Sequence, residues 1–239
     1  MPRGPSRAAT KGPRPDHEGD AKSWSVSGEL KVDSTPGYWL RRTVADIGAD
    51  RVQAVEIEIG NDHYTATKKA RSDADFTMTG VPKGRELSSP SAANGLATAL
   101  SNFELEDVRP AAELADKSTA RATFKTFDGL VIDAEGWNHN DKQYVVLKPH
   151  FDESLARQFH VAAKPAGDAA TSAADGIDTV IKNGNADAEA LNGQVQGWAY
   201  EVQIYRYQEI FKPVEELLKK EEPKQKPQGK TGAKTADAH

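Results

Sequence analysis

The stretch ARATFKTFDGLVIDAE, residues 120–135, decides the fold. Two runs rich in aromatic and β-branched residues, Ala120–Phe127 and Leu130–Glu135, flank Asp128-Gly129. Asp-Gly is among the strongest short hairpin signals, because both residues tolerate the positive φ that a two-residue turn between strands demands. A lone hairpin is marginal in water, so it requires neighbouring strands or helices over its apolar face. Downstream, Tyr144–Leu147 is apolar at every position, as a central strand should be. Trp198, Tyr200, Val202 and Ile204 recur at every second residue and predict a last strand. Upstream, Val52–Ile59 alternates, with Val55, Ile57 and Ile59 on one face and Glu56 and Glu58 on the other. Gly60-Asn61-Asp62 supplies a turn, Tyr64–Lys68 returns, and Phe76–Thr79 makes a third short strand.

Two helices complete the pattern. Ser89-Pro90 offers an N-cap hydroxyl followed by a ring fixed at helical φ. Ala93, Leu96, Ala97, Leu100 and Phe103 then follow a 3.6-residue period. Pro213 opens a terminal helix with Val214, Leu217 and Leu218 on its buried stripe. The order of elements predicts an α+β fold: antiparallel sheet hairpins with helices on one face. Two hairpin-plus-helix units suggest a possible two-unit repeat.

The remaining segments are poor in apolar residues. Residues 1–23 and 221–239 have no apolar period and are read as disordered tails around a domain spanning 24–220. Met1–Ser23 also lacks the apolar core of a secretory signal. Within the domain, 162–197 is dominated by Ala, Gly, Asp and Asn and is expected to be a flexible insertion. Ile177, Val180 and Ile181 form one helical turn inside it.

Composition removes whole classes of function. Of 239 residues, 37% are hydrophobic and 28% charged, and no apolar run is long enough to cross a membrane as a helix. Zero cysteines exclude a disulfide scaffold, thiol catalysis and Cys-ligated metal. The net charge of -5 averages unequal parts. Setting aside residues 1–23 and 213–239 leaves 20 basic and 28 acidic groups, so the body is more acidic than the whole. It has no concentrated cationic face, which argues against nucleic acid as a partner.

Catalytic signatures are missing as well. No phosphate-binding Gly-rich loop, no His-Glu-x-x-His and no Gly-x-Ser-x-Gly occurs. Asn183, Asn185 and Asp187 match the first, third and fifth positions of a calcium loop, but Ala188 and Gln194 fall where Gly and a bidentate Glu belong. His139-x-Asp141 offers two ligands at a hairpin tip, too few for a metal. His150 and His160 are too far apart in register to share one and read as edge or interface histidines. Asp133 and Glu135 share a strand face and fit the solvated side of a half-buried sheet, while Asp128 serves the turn. No catalytic, cofactor or metal site is assigned. The residues singled out for interaction are Trp24, Trp39, Trp137 and Trp198 at element starts, with His139 and Tyr200. Tyr205 and Tyr207 extend the aromatic series.

The order of segments resembles the second half of the bacterial domain-of-unknown-function family 4340. The resemblance rests on Gly37-Tyr-Trp-Leu-Arg-Arg42, Ala45-Asp-Ile47, Arg51-Val-Gln-Ala-Val-Glu-Ile57, the Phe76–Leu87 segment, Ala99-Leu-Ser-Asn-Phe103 and Glu106-Asp-Val-Arg109. It continues through the Thr-Phe-Asp-Gly-Leu hairpin at 126–130 and Gly197-Trp-Ala-Tyr200, covering about residues 36–220. It implies a non-enzymatic accessory or interaction domain of ABC-type transport or gliding-motility systems, with an envelope transporter component as protein partner. It also implies an inner-membrane anchor and an extracytoplasmic body. Against that pattern the anchor and first half are missing here, so the expectation is a truncated frame, a fragment or a split protein. Two other readings remain open: an envelope-polymer hydrolase, needing Asp128, Asp133 or His139 to converge with another polar group, and a small-ligand or glycan binder using the strand aromatics. Neither a cofactor nor an oligomeric state follows from the sequence.

Overall fold

The central hairpin forms where the Asp-Gly turn places it and becomes the middle of a wide sheet. The computed structural model describes residues 41–114, 117–162 and 170–220, all within the unit that begins at Arg41. Along the chain come β1 (Thr43–Ala45), β2 (Val52–Ile59), β3 (Asp62–Thr67), β4 (Thr77–Thr79), β5 (Phe103–Glu104) and β6 (Asp107–Pro110). Then follow β7 (Ala120–Thr126), β8 (Leu130–His139), β9 (Lys142–Phe151), α1 (Glu153–Ala162), α2 (Ala170–Val195), β10 (Trp198–Val202) and α3 (Ile204–Ile210). The fold is α+β. One antiparallel sheet runs in the order β4-β3-β2-β7-β8-β9-β10-β6, and β1 pairs with β5 separately.

Register sorts the side chains cleanly. Val55, Phe124 and Ile132 form one cross-strand row, and Ile57, Ala122, Ala134 and Leu147 form the next. All seven are at most 2% exposed, so this inner face is the core. The rows between them, Glu56–Thr123–Asp133–Lys148 and Glu58–Arg121–Glu135–Val146, point the other way. Such strict alternation is what period-2 side chains produce when one face is packed and the other wet.

The helices lie on the inner face, as expected. α3 presses on Gly136 of β8, where a Cβ would come within 2.5 Å of the Phe211 ring and 2.7 Å of the Tyr207 hydroxyl. The Asp152 carboxylate caps α1 by accepting from the Ser154 hydroxyl at 2.5 Å and the Ser154 and Leu155 amides at 2.9 and 3.1 Å. Those bonds hold its carboxyl below the usual carboxylate range.

The segment 162–197, expected as a flexible insertion, contains the 26-residue α2 instead. Its contact stripe is Ile177, Ile181, Gly184, Ala188, Leu191 and Val195, spaced alternately four and three residues apart. Gly184 lies against the Phe151 ring, so close that a Cβ would be 2.3 Å from it. A stripe of small residues carries little hydrophobicity and hides its period. Alanine elsewhere supplies the propensity. The same helix runs through Asn183–Asp187, where the Asn185 side-chain amide donates to the Ile181 carbonyl at 3.1 Å.

Two other helices differ. Between Ser89 and Phe103 only Asn94–Thr98 is helical, and it is a 3-10 turn. The expected stripe is buried all the same. Asn94 accepts from the Phe76 amide and donates to the Ala74 carbonyl and Asp75, which fastens the segment to the 74–76 loop. Asn102, at φ 45°, then ends it. At the C-terminal end, α3 follows β10 directly, so Ile204 opens a helix and is 56% exposed rather than continuing a strand. Val214, Leu217 and Leu218 are buried as expected, but on a short 3-10 turn, Val214–Leu217. Both hairpins join one sheet, and a two-unit repeat is not shown.

Candidate functional site

The outer face of β2, β7, β8 and β9 is an open surface lined by charged side chains. Two recesses of about 380 and 520 Å³ meet there at Glu58, Arg121 and Glu135. Its charges are paired across strands. Lys125 donates to Glu56 at 2.5 Å and Lys148 to Glu135 at 2.7 Å, with Arg121 3.9 Å from the same carboxylate. The Thr123 hydroxyl donates to Asp133 at 2.6 Å, and His150 Nδ1 lies 3.7 Å from Asp133. Each pair is worth a few tenths of a kcal/mol, ~0.2–1, on an exposed sheet face. Their combined effect is to fix the pattern of charge.

Toward the β10 side the outer face turns apolar. Tyr144, Val146 and Ala199 are buried there, and Ala111, Leu114 and Trp137 pack against them. This satellite cluster explains why Tyr144–Leu147 is apolar at every position: alternate residues feed two cores on opposite faces. Glu201 accepts from Lys142 at 2.7 Å and from the Tyr144 hydroxyl at 3.3 Å beside it.

The residues singled out by sequence do not form one site. Trp137 is half-buried in the satellite cluster on the outer face. Tyr200 is 5% exposed on the inner face, paired with Val145. Trp198 is 43% exposed at the start of the same strand. His139 ends β8 at the turn made by Asn140 and Asp141, both at positive φ. Trp24 and Trp39 lie outside the described residues. Asp128 and His139 flank opposite ends of the ten-residue β8, roughly 30 Å apart at the rise of a strand. Asp133 lies between them on the outer face, so these three do not converge with one another.

Asp128 serves the turn, as expected. Its carboxylate accepts from Arg51 Nε at 2.9 Å and from the Thr126 hydroxyl. Burial opposes ionisation, but the bonds from Thr126 and Arg51 and the guanidinium charge outweigh it and hold the carboxyl below its usual range. A carboxyl lowered in the folded state contributes stability above the unfolded pKa and loses it as pH falls through the folded value. Asp128→Ala is therefore expected to cost about 1–3 kcal/mol at neutral pH. The gap between variant and wild type should shrink on acidification, as measured by urea unfolding at a series of pH values.

Sequence reasoning missed a third recess, away from the outer face. It lies between the 69–72 loop, Phe127 at the central turn, and Ala156 and Phe159 of α1. No periodic signal points to it, because its walls come from four separate segments, the fourth being α2 through Val180. Among the described residues no helix is long and apolar enough to cross a membrane. Comparison with protein-family models, curated proteins and solved structures finds no match for the chain.

Proposed function

We propose that this chain is a non-catalytic interaction domain, of the accessory class that the resemblance to family 4340 implies for ABC-type transport and motility systems of the bacterial envelope. The observation that carries the reading is the outer-face trough, with its ladder of cross-strand ion pairs beside Trp137. Acids and cations there are held by one another, which builds a firm surface of alternating charge. Its occupant is a protein segment carrying both charges and an apolar residue to lie against Trp137.

The sheet edges favour the face over strand addition. β4 is three residues long and β6 carries Asp107 and Pro110, both features that blunt an edge against pairing. The partner is an envelope transporter component. Affinity capture from native cells with the full chain should recover such a component, and Arg121→Glu with Lys148→Glu should abolish the capture. Failure to recover any transporter component, or capture indifferent to both reversals, contradicts the reading.

A further inference from the structure

We infer that the recess between the 69–72 loop and α1 binds a small amphipathic anion: a carboxylate on a flat apolar body. It is separate from the outer-face trough and rests on different residues. The recess measures about 430 Å³, within the ~300–1,000 Å³ of small-molecule sites. Its floor is aromatic. Phe127 and Phe159 meet edge to face, with centroids 4.9 Å apart and planes at 88°. Ala156, 1% exposed, and Val180 of α2 complete the apolar lining.

The rim is cationic. Lys69 and Arg71 are exposed, and the Arg71 guanidinium stands 5.5 Å over the Phe127 ring. Their loop is held in place. Asp73 Oδ2 accepts the Lys69 and Ala70 amides at 2.9 and 3.0 Å, and Gln53 Nε2 donates to the Lys68 carbonyl at 2.9 Å. The acid lining the recess, Asp128, is already taken by Arg51 and Thr126. Among the described residues no carboxylate lies within ion-pairing distance of Lys69 or Arg71.

Two cations above an aromatic floor select for a ligand with both properties. A neutral apolar molecule would leave the cations without a counter-charge. A bare inorganic anion would leave the floor wet. A carboxylate is the fitting head group, because a guanidinium can take it through two parallel hydrogen bonds.

The test uses the full chain and 2-naphthoate, with 2-naphthamide as its neutral isostere and inorganic phosphate as the bare anion, each titrated by calorimetry. The acid should bind saturably and about tenfold more tightly than the amide, and phosphate should not displace it. Lys69→Ala with Arg71→Ala should erase the preference for the acid, while Arg121→Ala with Lys148→Ala should leave it intact. Absence of saturable binding, equal affinity for acid and amide, or displacement by phosphate would overturn the inference. So would a preference that survives loss of Lys69 and Arg71. The acid-to-amide ratio is read on the wild-type chain, so it stands even where a variant folds poorly.

Discussion

Phe124→Ala is expected to lower the unfolding free energy by about 3–5 kcal/mol, the range for deleting a buried aromatic ring. The ring is 1% exposed, between Val55 of β2 and Ile132 of β8 in the innermost cross-strand row. Strand pairing on both sides of β7 holds the backbone in place, so the cavity collapses little. A loss of that size is a large fraction of the ~5–15 kcal/mol that holds an ordinary domain together. Thr123→Ala, one residue away on the outer face, removes a half-buried methyl and the hydroxyl bonded to Asp133 and should cost no more than about 1.5 kcal/mol. Urea unfolding of both variants checks the contrast. Equal midpoints would mean that the two faces of β7 are not assigned as the register places them.

Gly129→Ala is expected to cost about 2–4 kcal/mol, the sum of a backbone and a packing penalty. The residue adopts φ 89° in the β7–β8 turn, where an L-side chain is strained. A Cβ would also lie 2.7 Å from the Asp152 carbonyl oxygen and 2.8 Å from Ala156 Cβ. The Asp152 amide donates to the Gly129 carbonyl at 2.8 Å, so the turn cannot back away from α1 without losing that bond. The destabilisation should appear as a lowered thermal midpoint. A variant as stable as wild type would contradict the turn geometry.

What was legible in the sequence follows from how burial writes itself into a pattern. The hairpins at 52–68 and 120–135 were legible because a strand with one wet face must alternate, and their turns required Gly, Asn or Asp. The stripe Ala93, Leu96, Ala97, Leu100 and Phe103 revealed burial but not conformation, because Asn94 gives its side chain to the 74–76 loop. α2 was illegible because its packed stripe uses Gly184, held against Phe151, and the buried Ala188, residues that a search for apolar periods passes over. α3 was masked by Ile204, which continued the strand alternation past Gln203.

The candidate sites divide the same way. Asp133 and Glu135 were placed correctly on a solvated face, since period 2 alone decides that. Their partners Arg121, Lys125 and Lys148 come from neighbouring strands, and register is not written in any one strand. The recess beneath Lys69 and Arg71 joins a loop, a turn and two helices, and only the folded chain brings them together.

We propose that a partner docks on the outer sheet face. Amine cross-linking of the complex captured from native cells, read by mass spectrometry, tests it most directly. Cross-links to the transporter component should concentrate at Lys125 and Lys148, with Lys69, Lys83 and Lys182 largely unlinked. A partner tethered chiefly through Lys69, Lys83 or Lys182, with Lys125 and Lys148 unmodified by it, would contradict the claim.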